Sequence, residues 1–156
     1  MFMSIKEKLS DLNIKLPEAP VAAGLYKTVL IHDRMASFSG HLPIRTDGTM
    51  VTGTVGTDLS VEEGASAARQ VGLNILASLE MALGDLERIE RVIKVLGMVQ
   101  AKPNFIQHPQ VINGCSELFC DLWGRDCGVG VRSAFGVSGL PGNAAVEIEG
   151  AFLLKE

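Results

Sequence analysis

The sequence predicts an α+β fold in which two long helices pack on one face of a mixed β-sheet. The predicted elements run in the order helix, three strands, long helix, strand, helix and two strands, which is a layered α+β arrangement. Hydrophobic residues make up 47% of the 156 residues, which is enough to form a core, while aromatic residues make up only 5%. No linker or repeat interrupts the chain, so residues 1–156 are expected to form a single domain.

The N-terminal segment predicts a short helix followed by three strands. Apolar residues at helical spacing place a helix over residues 4–12, within an N-terminal extension of about residues 4–16 that ends before Pro17. Alternating and β-branched residues predict strands at 25–31 and 35–39, and a glycine-interrupted strand at 50–55.

The clearest helix begins at a capping box formed by Ser60 and Glu63. It runs to about Leu83, and Gly84 provides the stop signal. A β-branched strand follows over 88–101, and a second helix over 109–123. After a glycine-rich loop at 125–130, strands are predicted at 131–139 and 144–154.

Composition argues against several functional classes. The net charge of −4, with a pI near 5.4 and no basic stripe, does not suit nucleic-acid binding. No apolar run approaches the roughly 20 residues that a bilayer requires, and no signal peptide is recognised, so we expect a cytoplasmic protein. The cysteines, Cys115, Cys120 and Cys127, are odd in number and lack a CxxC pair, which argues against a disulfide framework and a metal site.

Arg132 and Glu147 are the most suggestive polar residues. Arg132 lies in an otherwise uncharged stretch from 128 to 145, and arginine is suited to gripping a carboxylate with two hydrogen bonds. An exposed arginine on an edge strand remains an alternative, as does a solvated strand face for Glu147 and Glu149. If Pro141 and the following glycine centre a hairpin turn, Arg132 and Glu147 share a sheet face about 13 Å apart, which suits a small molecule held between them.

The residues between 131 and 149, VRSAFGVSGLPGNAAVEIE, resemble the signature of the YjgF/RidA family. The segment 24–26, GLY, is similar to the family's Gly-Pro-Tyr. The segment 38–43, FSGHLP, is similar to its Ser-Gly-Gln-(Ile/Leu)-Pro. The helix 67–79 followed by GDL at 84–86 also matches in order, so the resemblance covers about residues 20 to 154.

This resemblance implies a chorismate-mutase-like fold and a homotrimer with ligand clefts between subunits. In such a trimer, contacts between subunits would bury aliphatic residues that a single chain leaves exposed, which would account for their excess in the composition. The resemblance also implies hydrolytic deamination of reactive 2-imino and enamino acids, such as 2-aminoacrylate, to 2-keto acids and ammonia, without a metal or organic cofactor.

Carried over by position, the resemblance assigns roles to seven residues. Arg132 would bind the substrate carboxylate and Glu147 would position or activate water. The substrate-binding positions are Tyr26, Ser39, Gly40, Asn113 and Ala134.

Departures from the family pattern leave two further readings open. His41 stands where Gln is usual, Ala134 where Cys or Thr is frequent, and Gly130-Val131 where Pro-Ala is usual. A trimer that binds small carboxylate metabolites such as 2-keto acids without turnover is therefore the main alternative. A ribonuclease activity, which is known among relatives, is a third reading. The acidic net charge argues against it, because RNA is a polyanion.

Overall fold

The structure is a computed structural model that describes residues 2–156. It confirms the α+β class with a mixed sheet. The helices are α1 (Ile5–Asp11), α2 (Val61–Leu83) and α3 (His108–Gly128), and the strands are β1 (Val29–His32), β2 (Met35–His41), β3 (Ile89–Gln100), β4 (Val131–Val137) and β5 (Val146–Leu154). The five strands lie in the order β1-β2-β5-β3-β4. Within residues 2–156 no helix is both long and apolar enough to cross a membrane.

Local sequence signals set the ends of α2 as predicted. The Ser60 hydroxyl accepts from the Glu63 amide at 3.1 Å, and the Glu63 carboxylate accepts from the Ser60 amide at 2.8 Å. Gly84 ends the helix with a φ of 79°, a left-handed conformation that glycine adopts without strain. Both ends of α2 are therefore set by residues within the helix itself or next to it.

The core fills the space between α2, α3 and one face of the sheet. The helices approach closely, because a Cβ on Gly114 of α3 would collide with the carbonyl oxygen of Ala65 in α2. The largest fully buried side chains are Phe119, Phe152, Ile75, Leu76, Leu79, Ile89, Ile112, Leu118, Leu122, Ile148, Val55 and Val71.

Helix α1, in the predicted N-terminal extension, packs against this core. Ile5 and Leu9 are buried within it. The Lys8 ammonium donates to the Leu122 carbonyl of α3 at 2.6 Å. Contacts to residues more than a hundred positions away therefore hold α1 on the fold.

Several predicted segments differ from the structure. Residues 25–28 precede β1 rather than forming part of it. The predicted strand 50–55 is wrong, because only isolated bridges form there and Gly53 has a φ of 120°. Helix α3 continues past 123 to Gly128, with a break at Gly124 (φ 75°), so most of the predicted loop 125–130 belongs to its last turn.

The predicted pairing of the last two strands is also wrong. β4 pairs parallel with β3, and β5 inserts antiparallel between β3 and β2, so β4 and β5 are not neighbours. The segment Pro141–Asn143 forms a 3₁₀ turn instead of a hairpin turn. The helix α3 between β3 and β4 supplies the crossover that parallel strands require.

The sheet face opposite the helices is open and partly apolar. Along β5, Val146, Ile148 and Phe152 face the helices and are buried, while Glu147 and Glu149 alternate with them toward the open face. Apolar residues on this open face include Leu96, Met98, Ala151, Leu153, Val131 and Phe135, the last two being 69% and 43% exposed. A single chain thus leaves apolar strand residues in contact with solvent.

Candidate functional site

Six of the seven predicted site residues lie in two separate clefts of one chain. The first, which we call the Glu147 cleft, has a volume of about 350 Å³ and includes Tyr26, Ser39, Gly40 and Glu147. The second, which we call the Arg132 cleft, has a volume of about 400 Å³ and includes Asn113 and Arg132. The structure therefore brings the predicted residues together in two groups.

A bulge at the end of β2 shapes the Glu147 cleft. Phe38 pairs with Gly150 and His41 with Ile148, so the segment of β2 between them contains one residue more than the matching segment of β5. The extra residue places Ser39 and Gly40 beside Glu147. A Cβ on Gly40 would lie 2.9 Å from Cδ of Glu147, so a glycine is needed to leave space for this carboxyl group.

His41 connects the bulge to helix α2 through two hydrogen bonds. Its Nδ1 lies 2.6 Å from the Ser39 carbonyl oxygen, which can only accept, so Nδ1 carries the proton. Its Nε2 lies 2.8 Å from the Ser78 hydroxyl of α2 and accepts from it in the neutral ring. The ring is 3% exposed, and burial lowers the pKa of His41, although the hydrogen bond to Ser39 opposes this shift. A neutral histidine thus links the bulge to α2.

Glu147 is half-buried at the floor of its cleft. Burial raises the pKa of the Glu147 carboxyl, and the nearby charge of Glu149 raises it further. Among residues 2–156 no cation forms an ion pair with it. A carboxylate whose pKa is raised is a better proton acceptor than an ordinary glutamate.

Tyr26 closes the other side of the Glu147 cleft. Its hydroxyl accepts from the Ala23 amide at 3.1 Å, which ties the ring to the loop before β1. The side chain is 49% exposed, and the neighbouring Leu25 is fully exposed. The tyrosine therefore forms a rim that an approaching ligand or a second chain can contact.

Helix α3 orients the guanidinium in the Arg132 cleft. Nη1 of Arg132 donates to Oδ1 of Asn113 at 2.8 Å and to Oγ of Ser116 at 3.1 Å. Both acceptors are neutral and lie three residues apart on one helix face. Since no described residue forms an ion pair with Arg132, its charge is available to an anion.

Ala134 lies on β4 with its side chain toward α3. It is partly buried against the core and lines neither of the two clefts. Its partner in the sheet is Gly97, where a Cβ would collide with the Ile112 side chain of α3.

Arg132 and Glu147 lie on opposite faces of the sheet, which corrects the predicted shared face. Arg132 pairs with Val95 and Glu147 with Met98, both on β3. They are thus about 10 Å apart along the strands and about 10 Å apart across two strand spacings. The hairpin argument fails because β3 lies between β4 and β5. One chain cannot hold a small molecule between these two side chains.

Sequence reasoning missed several polar residues in or next to the clefts. Ser116 hydrogen-bonds Arg132, and its spacing of three residues from Asn113 on a predicted helix was the available signal. Ser78 was missed because its contact with His41 joins residues 37 positions apart.

Arg125 and Cys120 also line the Arg132 cleft. Cys115 is instead fully buried, and burial raises the pKa of its thiol.

Comparison with known proteins identifies relatives that match nearly the whole chain. Over 145 residues the chain is 37% identical to Protein TCP17 of Trypanosoma cruzi, covering 93% of this chain and 91% of that protein. Atu1372 of Agrobacterium tumefaciens, a protein of unknown function, shares 37% identity with a TM-score of 0.87 over 97% of this chain and 94% of that one.

A third protein is similar to this chain over nearly its whole length. A Shewanella oneidensis MR-1 protein, described as a "putative endoribonuclease", has a TM-score of 0.92 at 27% identity, over 97% of this chain and 100% of that one. A sequence model of the family described as "YjgF/chorismate_mutase-like, putative endoribonuclease" matches residues 6–148. The chain therefore belongs to the YjgF/chorismate-mutase-like family, which confirms the resemblance seen in its motifs.

Proposed function

We propose that this protein hydrolyses reactive 2-imino and enamino acids to 2-keto acids and ammonia. The observation that carries the proposal is the arrangement of its two clefts. One presents an oriented guanidinium without an ionic partner, and the other presents a carboxyl group of raised pKa beside a bulge. Each cleft holds the group that the other lacks for binding and hydrolysing a small carboxylate.

The proposal includes a homotrimer in which the Arg132 cleft of one chain faces the Glu147 cleft of the next. A cyclic assembly repeats one heterologous contact around a closed ring, so each contact would contain one complete site. The open sheet face supports this, because Val131 and Phe135 expose apolar surface that neighbouring chains would cover.

In the proposed reaction, Arg132 binds the substrate carboxylate and fixes the imine next to Glu147. An enamine first takes up a proton at C3 and becomes the iminium. Glu147 then accepts a proton from water as the water oxygen attacks C2 of the iminium. Glu147 returns that proton to the nitrogen of the tetrahedral adduct. The C–N bond then breaks as the hydroxyl of the adduct gives its proton to Glu147 and the C2 carbonyl forms, and the departing ammonia takes up this proton. Orientation supplies most of the acceleration, since the protonated imine is already electrophilic.

A small amino acid is known to bind to a protein of this fold. The crystal structure of E. coli TdcF contains bound serine, and that protein matches this chain with a TM-score of 0.62 at 20% identity, a likeness that shows the fold alone. Serine carries the carboxylate that Arg132 is proposed to bind. The substrate class therefore rests on the Arg132 cleft rather than on this likeness.

The test is to generate 2-aminoacrylate with a separate enzyme and to follow pyruvate release. We expect the wild-type protein to accelerate release and Arg132→Ala to give the uncatalysed rate. Arg45→Gln is a matched control, because it removes a guanidinium that lines neither cleft. An Arg132→Ala variant as fast as wild type would contradict the proposal.

Binding without turnover is the second candidate function. It is favoured by the neutral acceptors that hold Arg132 ready for a carboxylate, and by His41 and Ala134 at positions where the family pattern differs. Calorimetry with 2-keto acids distinguishes the two functions. Binding together with no acceleration of 2-aminoacrylate hydrolysis would favour the binder.

The endoribonuclease description of relatives is the third candidate and has the least physical support. A nuclease must attract a polyanion, and the net charge of −4 opposes this. Cleavage of RNA that persists in Arg132→Ala protein would be required to support it.

A further inference from the structure

We propose that Arg125 is a second anion-binding residue in the Arg132 cleft and that the preferred substrates carry a side-chain carboxylate. This inference rests on the proposed function and narrows its substrate class to 2-imino acids with two carboxylates. Arg125 lies outside the motif segments 24–26, 38–43 and 131–149.

A backbone break brings Arg125 to the cleft. Gly124 has φ 75° and ψ 169°, which ends the regular helix one residue before Arg125. Glycine reaches this conformation at little cost. The chain then turns back, so that Arg125 and Gly130 line the same cleft as Arg132. A continuous helix would have carried residue 125 onward along the axis of α3.

The charges of this cleft are not balanced within the chain. Arg34 and Arg91 form ion pairs in the described chain, Arg34 with Glu90 and Arg91 with Asp126. Arg45, Arg69 and Arg88 form none among the described residues, but they do not line this cleft. Among residues 2–156 neither Arg125 nor Arg132 forms an ion pair. Glu117 also lines the cleft, but it is exposed and pairs with neither guanidinium. Two free guanidinium groups at one cleft suit a ligand with two anionic groups.

The size of the cleft fits a ligand of this kind. Its volume of about 400 Å³ exceeds what a three-carbon acid needs and accommodates a five-carbon dicarboxylate. Arg132, held by Asn113 and Ser116, would fix the carboxylate next to the reacting carbon. Arg125 is exposed and its side chain has no hydrogen bond that restrains it. The side chain can therefore move to contact a second carboxylate of the ligand at the mouth of the cleft. Planar guanidinium groups bind carboxylates with two parallel hydrogen bonds.

The test compares two stable probes of similar size and shape, 2-oxoglutarate and its uncharged isostere 5-methyl-2-oxohexanoate, by calorimetry on the assembled protein. We expect 2-oxoglutarate to bind about fivefold more tightly, a modest factor because Arg125 is exposed to solvent. Arg125→Gln should lower the affinity for 2-oxoglutarate to that for the uncharged isostere, and Arg125→Lys should retain part of the preference. Raising the ionic strength should reduce the preference.

The controls separate this inference from the proposed function. Arg45→Gln should leave the preference unchanged, and Arg132→Ala should weaken the binding of both probes. Equal binding of the two probes by the wild-type protein would overturn the role of Arg125 while leaving the proposed function in place. Failure of both probes and of 2-oxobutanoate to bind would overturn the proposed function and this inference with it. Tighter, Arg125-dependent binding of 3-phosphoglycerate than of 2-oxoglutarate would overturn the assignment of a carboxylate.

Discussion

At the scale of single residues, Gly40 and Glu147 depend on each other. The carboxyl group of Glu147 occupies the space where any other residue at position 40 would place its Cβ. Glu147 in turn carries a raised pKa because it is half-buried beside that glycine and near Glu149. The reactivity and the position of this carboxylate are thus both set by its immediate neighbours.

Gly40→Ala is expected to lower kcat/KM for imine hydrolysis about a hundredfold, since a displacement of about 1 Å in a reacting group has effects of that size. The added Cβ would lie 2.9 Å from Cδ of Glu147 and push the carboxylate away. Gly139→Ala is the matched control, because a Cβ there meets nothing within 4 Å. Similar kinetics for the two variants would contradict this role of Gly40.

Glu147→Gln is expected to lower activity about a hundredfold or more, as the loss of a general base does. The same substitution should not lower stability, although it lowers activity. A raised pKa means that ionisation of Glu147 opposes folding, so wild-type stability falls as pH rises through the raised pKa. The variant should therefore be as stable as wild type, or more stable, at pH 7, and this advantage should disappear below about pH 4.5. Thermal unfolding at both pH values measures it.

At the scale of secondary structure elements, hydrogen bonds of His41 join the bulge of β2 to α2. The Ser78 hydroxyl donates to His41, and His41 donates to the carbonyl of Ser39 within the bulge. The ring also packs edge-on against Phe38, with centroids 6.1 Å apart. A shift of α2 would therefore be transmitted to the strand end that borders the Glu147 cleft.

Ser78→Ala is expected to destabilise the fold by about 1–3 kcal/mol, because Nε2 of the buried His41 loses its hydrogen-bond partner. Urea unfolding measures this change. Ser66→Ala, at an exposed position more than three turns earlier on the same helix, should cost less. Equal effects of the two substitutions would contradict the link between His41 and α2.

His41→Gln tests the same link through pH. The lowered pKa keeps His41 neutral in the native state, and this contribution to stability is present above the ordinary pKa of about 6.5. It is lost as pH falls through the lowered pKa, because the buried ring must then accept a proton. Wild type should therefore lose more free energy of unfolding than His41→Gln between pH 7.5 and pH 5. Parallel pH profiles would contradict this role.

The elements show how far the sequence predicts the fold. The ends of α2 follow from Ser60, Glu63 and Gly84, which act within a turn of the helix, and these were predicted correctly. The partner of β4 depends on the crossover through α3 and on the later insertion of β5, so local turn signals at Pro141 were misleading. The candidate site residues were identified by motif, but their division between two sheet faces required the strand order.

At the scale of the whole molecule, that division predicts that a working site needs two chains. Arg132 and Glu147 face opposite sides of one sheet, so a site that contains both must combine two copies. We expect a closed trimer in light scattering at micromolar concentration. A monomer that retains full activity would contradict both the trimer and the shared site.

Mixed assemblies test the shared site directly. Protein lacking Arg132 and protein lacking Glu147 are each expected to be inactive, but trimers formed by refolding them together at equal amounts should recover about a quarter of the wild-type activity. A site is intact when the Arg132 donor and the Glu147 donor are both unaltered, and each choice has a chance of about one half. The double variant refolded with either single variant is the control and should recover nothing.

The uncovered sheet face has a consequence for the synthesis of the protein. A newly made chain folds with Val131 and Phe135 in water and with β1 and β4 at the two free edges of its sheet. Unprotected strand edges next to apolar side chains promote aggregation. If chains associate as proposed, the yield of native protein should depend on whether this face is covered before chains aggregate. Slow synthesis at low temperature, which lowers the concentration of exposed chains and weakens non-specific hydrophobic contacts, should therefore reduce precipitation.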